Sequence, residues 1–286
     1  MTRPDRLPLV LLGVALVVLL VDACPADSQM PRSDEEAARA FQSLAWQRGP
    51  AEGRIGGTAT IRVSDSQAFL DGPNSRRFLE LNGNPPRDDH YTLVSLEPNW
   101  FAVFHFDGSG YVKDDERLDP DAILASLKEH DGPANAERKK LGMAPIYTDG
   151  WHVPPHYDTQ TRRLEWGVRL HADAGPPVVN YTVRILGRHG VMSATLVSDP
   201  EHLDADIAAF KAALNGFGFT PGERYSEFRS GDKVAEYGLA ALVLGGAAVV
   251  ATKTGFLKAF GKLLLVGGVA IASGVAAFFR KVFGRS

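Results

Sequence analysis

Arg163-Leu-Glu-Trp-Gly-Val-Arg-Leu-His171, Val178-Val-Asn-Tyr-Thr-Val-Arg-Ile-Leu186 and Val191-Met-Ser-Ala-Thr-Leu-Val197 decide the fold. They read as three consecutive strands, and Gly187-Arg-His-Gly190 is the short hairpin between the last two. Upstream, residues 58–63 are rich in β-branched side chains and read as a strand. Residues 91–96 and 100–106 follow as two more, split by Glu97-Pro-Asn99. A turn is expected over residues 107–110. Residues 146–153 are extended and run into Pro154-Pro155.

Helices are fewer. Residues 33–46 place Ala37, Ala38, Phe41, Leu44 and Ala45 at helical spacing, with Ser33 as cap and Glu36 after it. A short helix over 75–81 is stopped by Asn82-Gly-Asn-Pro-Pro86. Asp119 opens another, with Pro120 well placed at its first position. A separate helical piece is expected over 134–141. Ser198-Asp-Pro200 caps a last amphipathic helix through Leu214, with Leu203, Ile207, Phe210 and Leu214 on one face. Residues 217–219 return as a short edge strand. Strands outnumber helices and do not alternate with them. The expected class is α+β, a mostly antiparallel sheet with packed helices.

The chain has 286 residues and a formal net charge of −3. Without its apolar ends roughly 200 residues remain, enough for one sizeable core or two small ones. The charges are mixed, and no basic face points to nucleic acid. The single cysteine, Cys24, excludes an intrachain disulfide and a Cys-rich zinc site.

Both ends are apolar. Arg3 and Arg6 precede the run 7–21, which is shorter than the ~20 residues of a comfortable membrane span. With small residues at its exit it reads as a secretory signal or an N-terminal anchor over 1–24. Acylation of Cys24 is the alternative, although Asp22 suits that processing poorly. At the C-terminus the runs 238–251 and 263–279 are separated by Lys253, Lys258 and Lys262 and followed by Arg280, Lys281 and Arg285. Small residues recur four apart at Ala241 and Gly245, then at Gly268, Ala272 and Ala276. A membrane helical hairpin over 234–286 is expected. The first run packed on the domain or lying at the interface is its rival. Residues 25–57 then form a linker with an amphipathic helix, and 58–233 the α+β domain.

Candidate chemistry is sparse. Residues 107–116 mimic the last ten positions of an EF-hand loop, but His105 stands where the first aspartate belongs and a strand precedes it. An acidic turn is the preferred reading. Trp151-His-Val-Pro-Pro-His-Tyr-Asp158 is the densest cluster of functional side chains. His152, His156 and Asp158 could bind a metal or supply an acid–base pair. Trp151 and Tyr157 flank them in a loop stiffened by two prolines. Arg188 and His189 in the hairpin turn face solvent or an anionic partner. No nucleophile elbow, zincin, phosphate-loop or dinucleotide motif is present.

Asn82-Gly-Asn-Pro-Pro86, Gly110-Tyr-Val-Lys-Asp-Asp115, Pro154-Pro-His-Tyr-Asp158, Arg184-Ile-Leu-Gly-Arg-His-Gly-Val191 and Asp232-Lys-Val-Ala-Glu-Tyr-Gly238 occur in this order, with Glu137-Arg-Lys-Lys, Gly150-Trp151, Asn180-Tyr181, Arg224-Tyr225 and Phe228 among them. Together they resemble the bacterial family of uncharacterised membrane-anchored proteins known as domain of unknown function 2167. The resemblance implies an exported domain held at the cytoplasmic membrane and facing the periplasm. It carries no catalytic residue and no cofactor. Residues 178–219 also look like the end of the photosystem-P-subunit and Mog-type fold, a likeness without functional content. The leading expectation is a membrane-anchored binding or scaffolding module, with membrane lipid and a protein as partners. The alternatives are a metal-dependent enzyme using residues 150–158 and a lipid or small-molecule binding domain.

Overall fold

The computed structural model describes residues 34–245, apart from 83, 85, 98, 141–143 and 174–175. Elements run in the order α1 (Asp34–Gln42), β1 (Gln47–Arg48), β2 (Ala51–Ile55), β3 (Ala59–Val63), β4 (Gln67–Leu70), α2 (Gly72–Leu81), β5 (His90–Ser95), β6 (Trp100–Asp107), α3 (Pro120–Lys140), β7 (Ile146–Asp158), β8 (Arg163–Ala172), β9 (Val178–Leu186), β10 (Val191–Val197), α4 (Leu203–Leu214), β11 (Phe217–Phe219) and α5 (Leu239–Leu244). The expected α+β class is present.

One sheet of eight strands has the order β1-β4-β5-β6-β10-β9-β8-β7, and neighbouring strands are antiparallel throughout. After β6 the chain leaves through α3 to the far edge. It returns strand by strand until β10 lies beside β6, with Ser193 opposite His105. A second sheet, β11-β3-β2, packs over it.

Alternation along the strands separates two faces. On the first face Ala102, Phe104, Val183, Ile185, Met192, Ala194 and Leu196 meet Leu203, Phe210 and Leu214 of α4 and Ile55, Ile61 and Val63 of the small sheet. The stripe foreseen on α4 is the one that buries. On the second face two apolar clusters stand apart. Phe41, Leu44, Phe78 and Leu79 of the α1–α2 side pack on Leu70, Val94, Phe101 and Val197. Ile123 of α3 and Leu239, Leu242 and Val243 of α5 pack on Leu164, Trp166, Leu186 and Val191.

Helix α3 is continuous where two pieces were expected at Gly132-Pro133, and Pro133 lies inside it. Proline removes a helical hydrogen bond, so the break is opposed by tertiary anchors on either side. Asp131 accepts from Thr148 N and Oγ1 at 2.7 and 2.9 Å. Asn135 exchanges two 2.8 Å bonds with the Ile146 backbone. At the start of α3, Asp119 accepts from the Asp121 and Ala122 amides, a side-chain cap. Strand β7 runs on through Pro154-Pro155 to Asp158 with three register irregularities. As the outermost strand it tolerates residues without an N–H.

Strands β1 and β2 fall within the stretch read as a linker, and Phe41 and Leu44 before them are already buried, so the folded body begins well before residue 58. At the other end the first apolar run is a helix only from Leu239 to Leu244, ended by Gly245 in the left-handed region at φ 116°. Leu239, Leu242 and Val243 are buried in the domain. The rest of the expected membrane hairpin, the signal or anchor segment 1–24 and Cys24 lie outside the described residues. Among the described residues no helix is long and apolar enough to cross a membrane.

Arg188 and Asp232 tie the β9–β10 turn to the segment before α5. Arg188 Nε and a second guanidinium nitrogen donate to the two Asp232 oxygens at 2.7 and 2.8 Å. This fork, with the Arg229 amide, holds the Asp232 carboxyl well below the usual carboxylate range. A carboxyl whose folded pKa is depressed stabilises the fold above its unfolded pKa, about 3.9, and loses that contribution as pH falls through the folded value. Asp232→Asn is therefore expected to melt below the parent chain at pH 6, with the gap narrowing steadily as the pH falls below about 4. A gap constant over that range in thermal unfolding would show that the pair contributes nothing through ionisation.

Candidate binding cavity

The residues singled out in the sequence do not meet at one centre. His152 Nε2 lies 2.7 Å from Asp204 Oδ1 in the first turn of α4. His156 is exposed on the outer strand. Asp158 accepts from the Gln160 and Thr161 amides, and these bonds lower its pKa. It serves the β7–β8 turn. Trp151 Nε1 donates to Pro120 O at 3.1 Å. Tyr157 donates to Asp114 at 2.9 Å. Burial works against ionisation of Asp114, yet the bond from Tyr157 and the charge and bond of Arg162 hold its carboxyl below the usual range. His189 Nδ1 faces Glu223 at 3.0 Å, and Arg188 is committed to Asp232. The metal–ligand reading of His152, His156 and Asp158 thus finds no shared centre. Among the described residues no group of three His, Cys, Asp or Glu could hold a metal ion. In the EF-hand-like stretch, Glu116 instead accepts from the Ala240 amide at 3.0 Å, fastening the start of α5.

A concave feature lies elsewhere among the described residues. Between the two apolar clusters on the sheet's second face is a cavity of about 550 Å3, within the range of small-molecule sites. Its floor is the central strands. Val103, His105 and Asp107 of β6, Ser193 and Thr195 of β10, Thr182 and Arg184 of β9 and Trp166, Val168 and Leu170 of β8 face it. One wall is α3, with Leu127, Ala134 and Arg138; another is the end of α5 with Leu242, Val243 and Gly245. Leu79, Arg87 and His90 close the α2 side.

Strand register explains the polar character of the floor. His90 is opposite His105, His105 opposite Ser193, and Ser193 opposite Arg184. One polar row therefore crosses four strands. The two imidazoles stack with centroids 4.6 Å apart. His90 Nδ1 donates to Asp88 O at 2.7 Å and His105 Nδ1 to Asp89 O at 3.2 Å. Because those bonds occupy Nδ1, Nε2 is the ring nitrogen left for other partners. Burial lowers the His90 pKa, with the neighbouring His105 adding to it and the Asp88 carbonyl opposing. In the adjoining row Thr195 and Thr182 hydroxyls lie 3.5 Å apart beside Trp166.

Arginine is the dominant charge. Burial pulls the pKa of Arg87, Arg138 and Arg184 below the ordinary guanidinium value. Arg138 is 6% exposed and donates through Nε to Ala144 O at 2.6 Å. Arg184 is part-exposed as a whole, but its Nε is buried and, among the described residues, without a hydrogen-bond partner. None of these was read as a candidate site residue, although Arg138 and Arg184 lie in segments that carry the family resemblance. The available signal was a polar second face, Asn180, Thr182, Arg184 and Ser193, Thr195, on strands at the middle of a sheet expected to carry helices.

The family described as "Protein of unknown function (DUF2167)" matches residues 47–278. No curated protein matches the chain. Among solved structures, the solution structure of cyanobacterial PsbP (CyanoP) from Synechocystis sp. PCC 6803 is similar at 9% identity. It covers 61% of this chain and 92% of its own, with a TM-score of 0.33.

Proposed function

Since the chain belongs to the DUF2167 family of proteins of unknown function, no activity passes to it from relatives, and we propose from its own geometry that it is a binding module for a small amphipathic molecule. The observation that carries this reading is the cavity of about 550 Å3 with apolar walls and a polar row across its floor. Binding sites of this kind combine apolar lining with a few placed polar groups. The apolar, basic-flanked ends of the sequence support an extracytoplasmic module anchored at a membrane, where amphipathic molecules partition. The wall residues Leu242 and Val243 belong to the first of the C-terminal apolar runs, so the cavity adjoins the proposed anchor in sequence.

A neutral apolar fluorophore, N-phenyl-1-naphthylamine, tests the reading on the full-length chain. One molecule is expected to bind per chain with fluorescence enhancement. Ala134→Trp puts an indole into the cavity from α3 and is expected to weaken binding by at least about tenfold, the equivalent of ~1.4 kcal/mol. Unchanged circular dichroism shows that the variant is folded. Equal binding by the parent and the folded variant, or no binding by either, would overturn the proposal.

A further inference from the structure

We infer that the molecule carries an anionic head, a carboxylate or phosphate on a hydrocarbon tail, and that Arg184 is its anchor. The inference rests on the cavity being the binding site and adds the charge of the ligand. A guanidinium keeps its proton in proteins, so it stays charged where it is desolvated. Burying such a charge without a partner is costly. Among the described residues no carboxylate lies within salt-bridge distance of Arg184 or Arg138, whereas Arg188 and Arg162 each have one and Arg76 has two.

The acids in the wall do not supply the missing charge. Asp131 is used by Thr148 N and Oγ1. Asp107 attracts Arg184 without forming an ion pair and is itself faced by Tyr237. The side of the site that lacks a partner is therefore cationic, and a planar fork of donors suits a carboxylate or phosphate oxygen pair. Ser193 lies opposite Arg184 in register and adds a hydroxyl on the same row. Trp166, Val168 and Leu170 on β8 and Leu242 on α5 give the tail an apolar surface. Head and tail thus have different places in one cavity.

Dodecanoate, dodecyl phosphate and dodecanol share a tail and differ in the head. Each is titrated against the full-length chain by displacement of N-phenyl-1-naphthylamine. At least one anion is expected to bind about ten- to a hundredfold more tightly than the alcohol, the range of a charge-assisted hydrogen bond. The tighter of the two anions names the head. In Arg184→Met that ratio is expected to fall to about one, with dodecanol affinity kept. Arg184→Lys is expected to retain part of the preference, because the charge remains and the fork does not. Equal affinity of the parent chain for all three compounds, or a ratio unchanged in Arg184→Met, overturns the anionic head while the cavity reading stands. Displacement by none of them, together with no probe binding, overturns both. The parent ratio alone decides if Arg184→Met does not fold.

Discussion

A chain ended at Lys233 is expected to lose most of its folding stability. Beyond that point Leu239, Leu242 and Val243 are 0%, 1% and 7% exposed. They pack with Ile123 of α3 and Leu164 and Trp166 of β8. Burial of each such side chain contributes ~1.5–3 kcal/mol, or roughly 5–9 kcal/mol for the three. That is comparable with the whole stability of a typical domain, ~5–15 kcal/mol. The cut also removes the 2.8 Å bond from Ala235 N to Tyr111 O and the 3.0 Å bond from Ala240 N to Glu116. A chain ended after Gly245 keeps all of these. The urea midpoints of the two truncated chains check the expectation, and equal midpoints would show that α5 adds nothing to the domain. The test matters because a sequence-based boundary at 233 removes a helix that belongs to the core.

Phe210→Ala is the second large loss expected, about 3–5 kcal/mol. Phe210 is fully buried on α4. Its ring meets Trp100 edge-on at 5.7 Å and Tyr181 at 6.3 Å. Truncation leaves a hole between the helix and the centre of the large sheet, where two antiparallel neighbours hold the backbone and limit collapse. For a domain of this size the melting temperature should fall by about 6–20 °C. Ile207→Ala, on the same face but half-buried, should cost clearly less. A loss at Phe210 no greater than at Ile207 would mean that the site closes over the hole.

The sheet's centre was legible in the sequence because its signals are local. Two long apolar-rich strands joined by Gly187-Arg-His-Gly190 admit one pairing, and that pairing is present, Val191 opposite Leu186. The α4 stripe was legible for the same reason. Strand β2 was not, because Gly53 sits at its middle and weakens the pattern. Packing requires that glycine, since a Cβ there would lie 2.6 Å from the Phe69 ring. Helix α3 was split because proline is a local stop, while the bonds that carry the helix past it come from β7, distant in sequence. The same distinction governs the site. The loop 151–158 concentrates histidines within a few residues, so it drew attention, and its side chains have separate structural partners. The polar row His90, His105, Ser193 and Arg184 takes its members from four strands and exists only after they pair.

The bonds from Asp131 and Asn135 to the start of β7 also bear on how copies of the chain meet. An open sheet edge invites another chain to add a strand. Here one end of the large sheet is β1, two residues long. At the other end the first backbone groups of β7 are taken by α3, and farther along Pro154 and Pro155 offer no N–H and the register is irregular. Neither border presents a long, regular ladder for a second molecule to extend. Crowding many copies together should therefore leave the large sheets separate, and removing the two α3 side chains would open the segment at Ile146–Thr148 to cross-chain pairing.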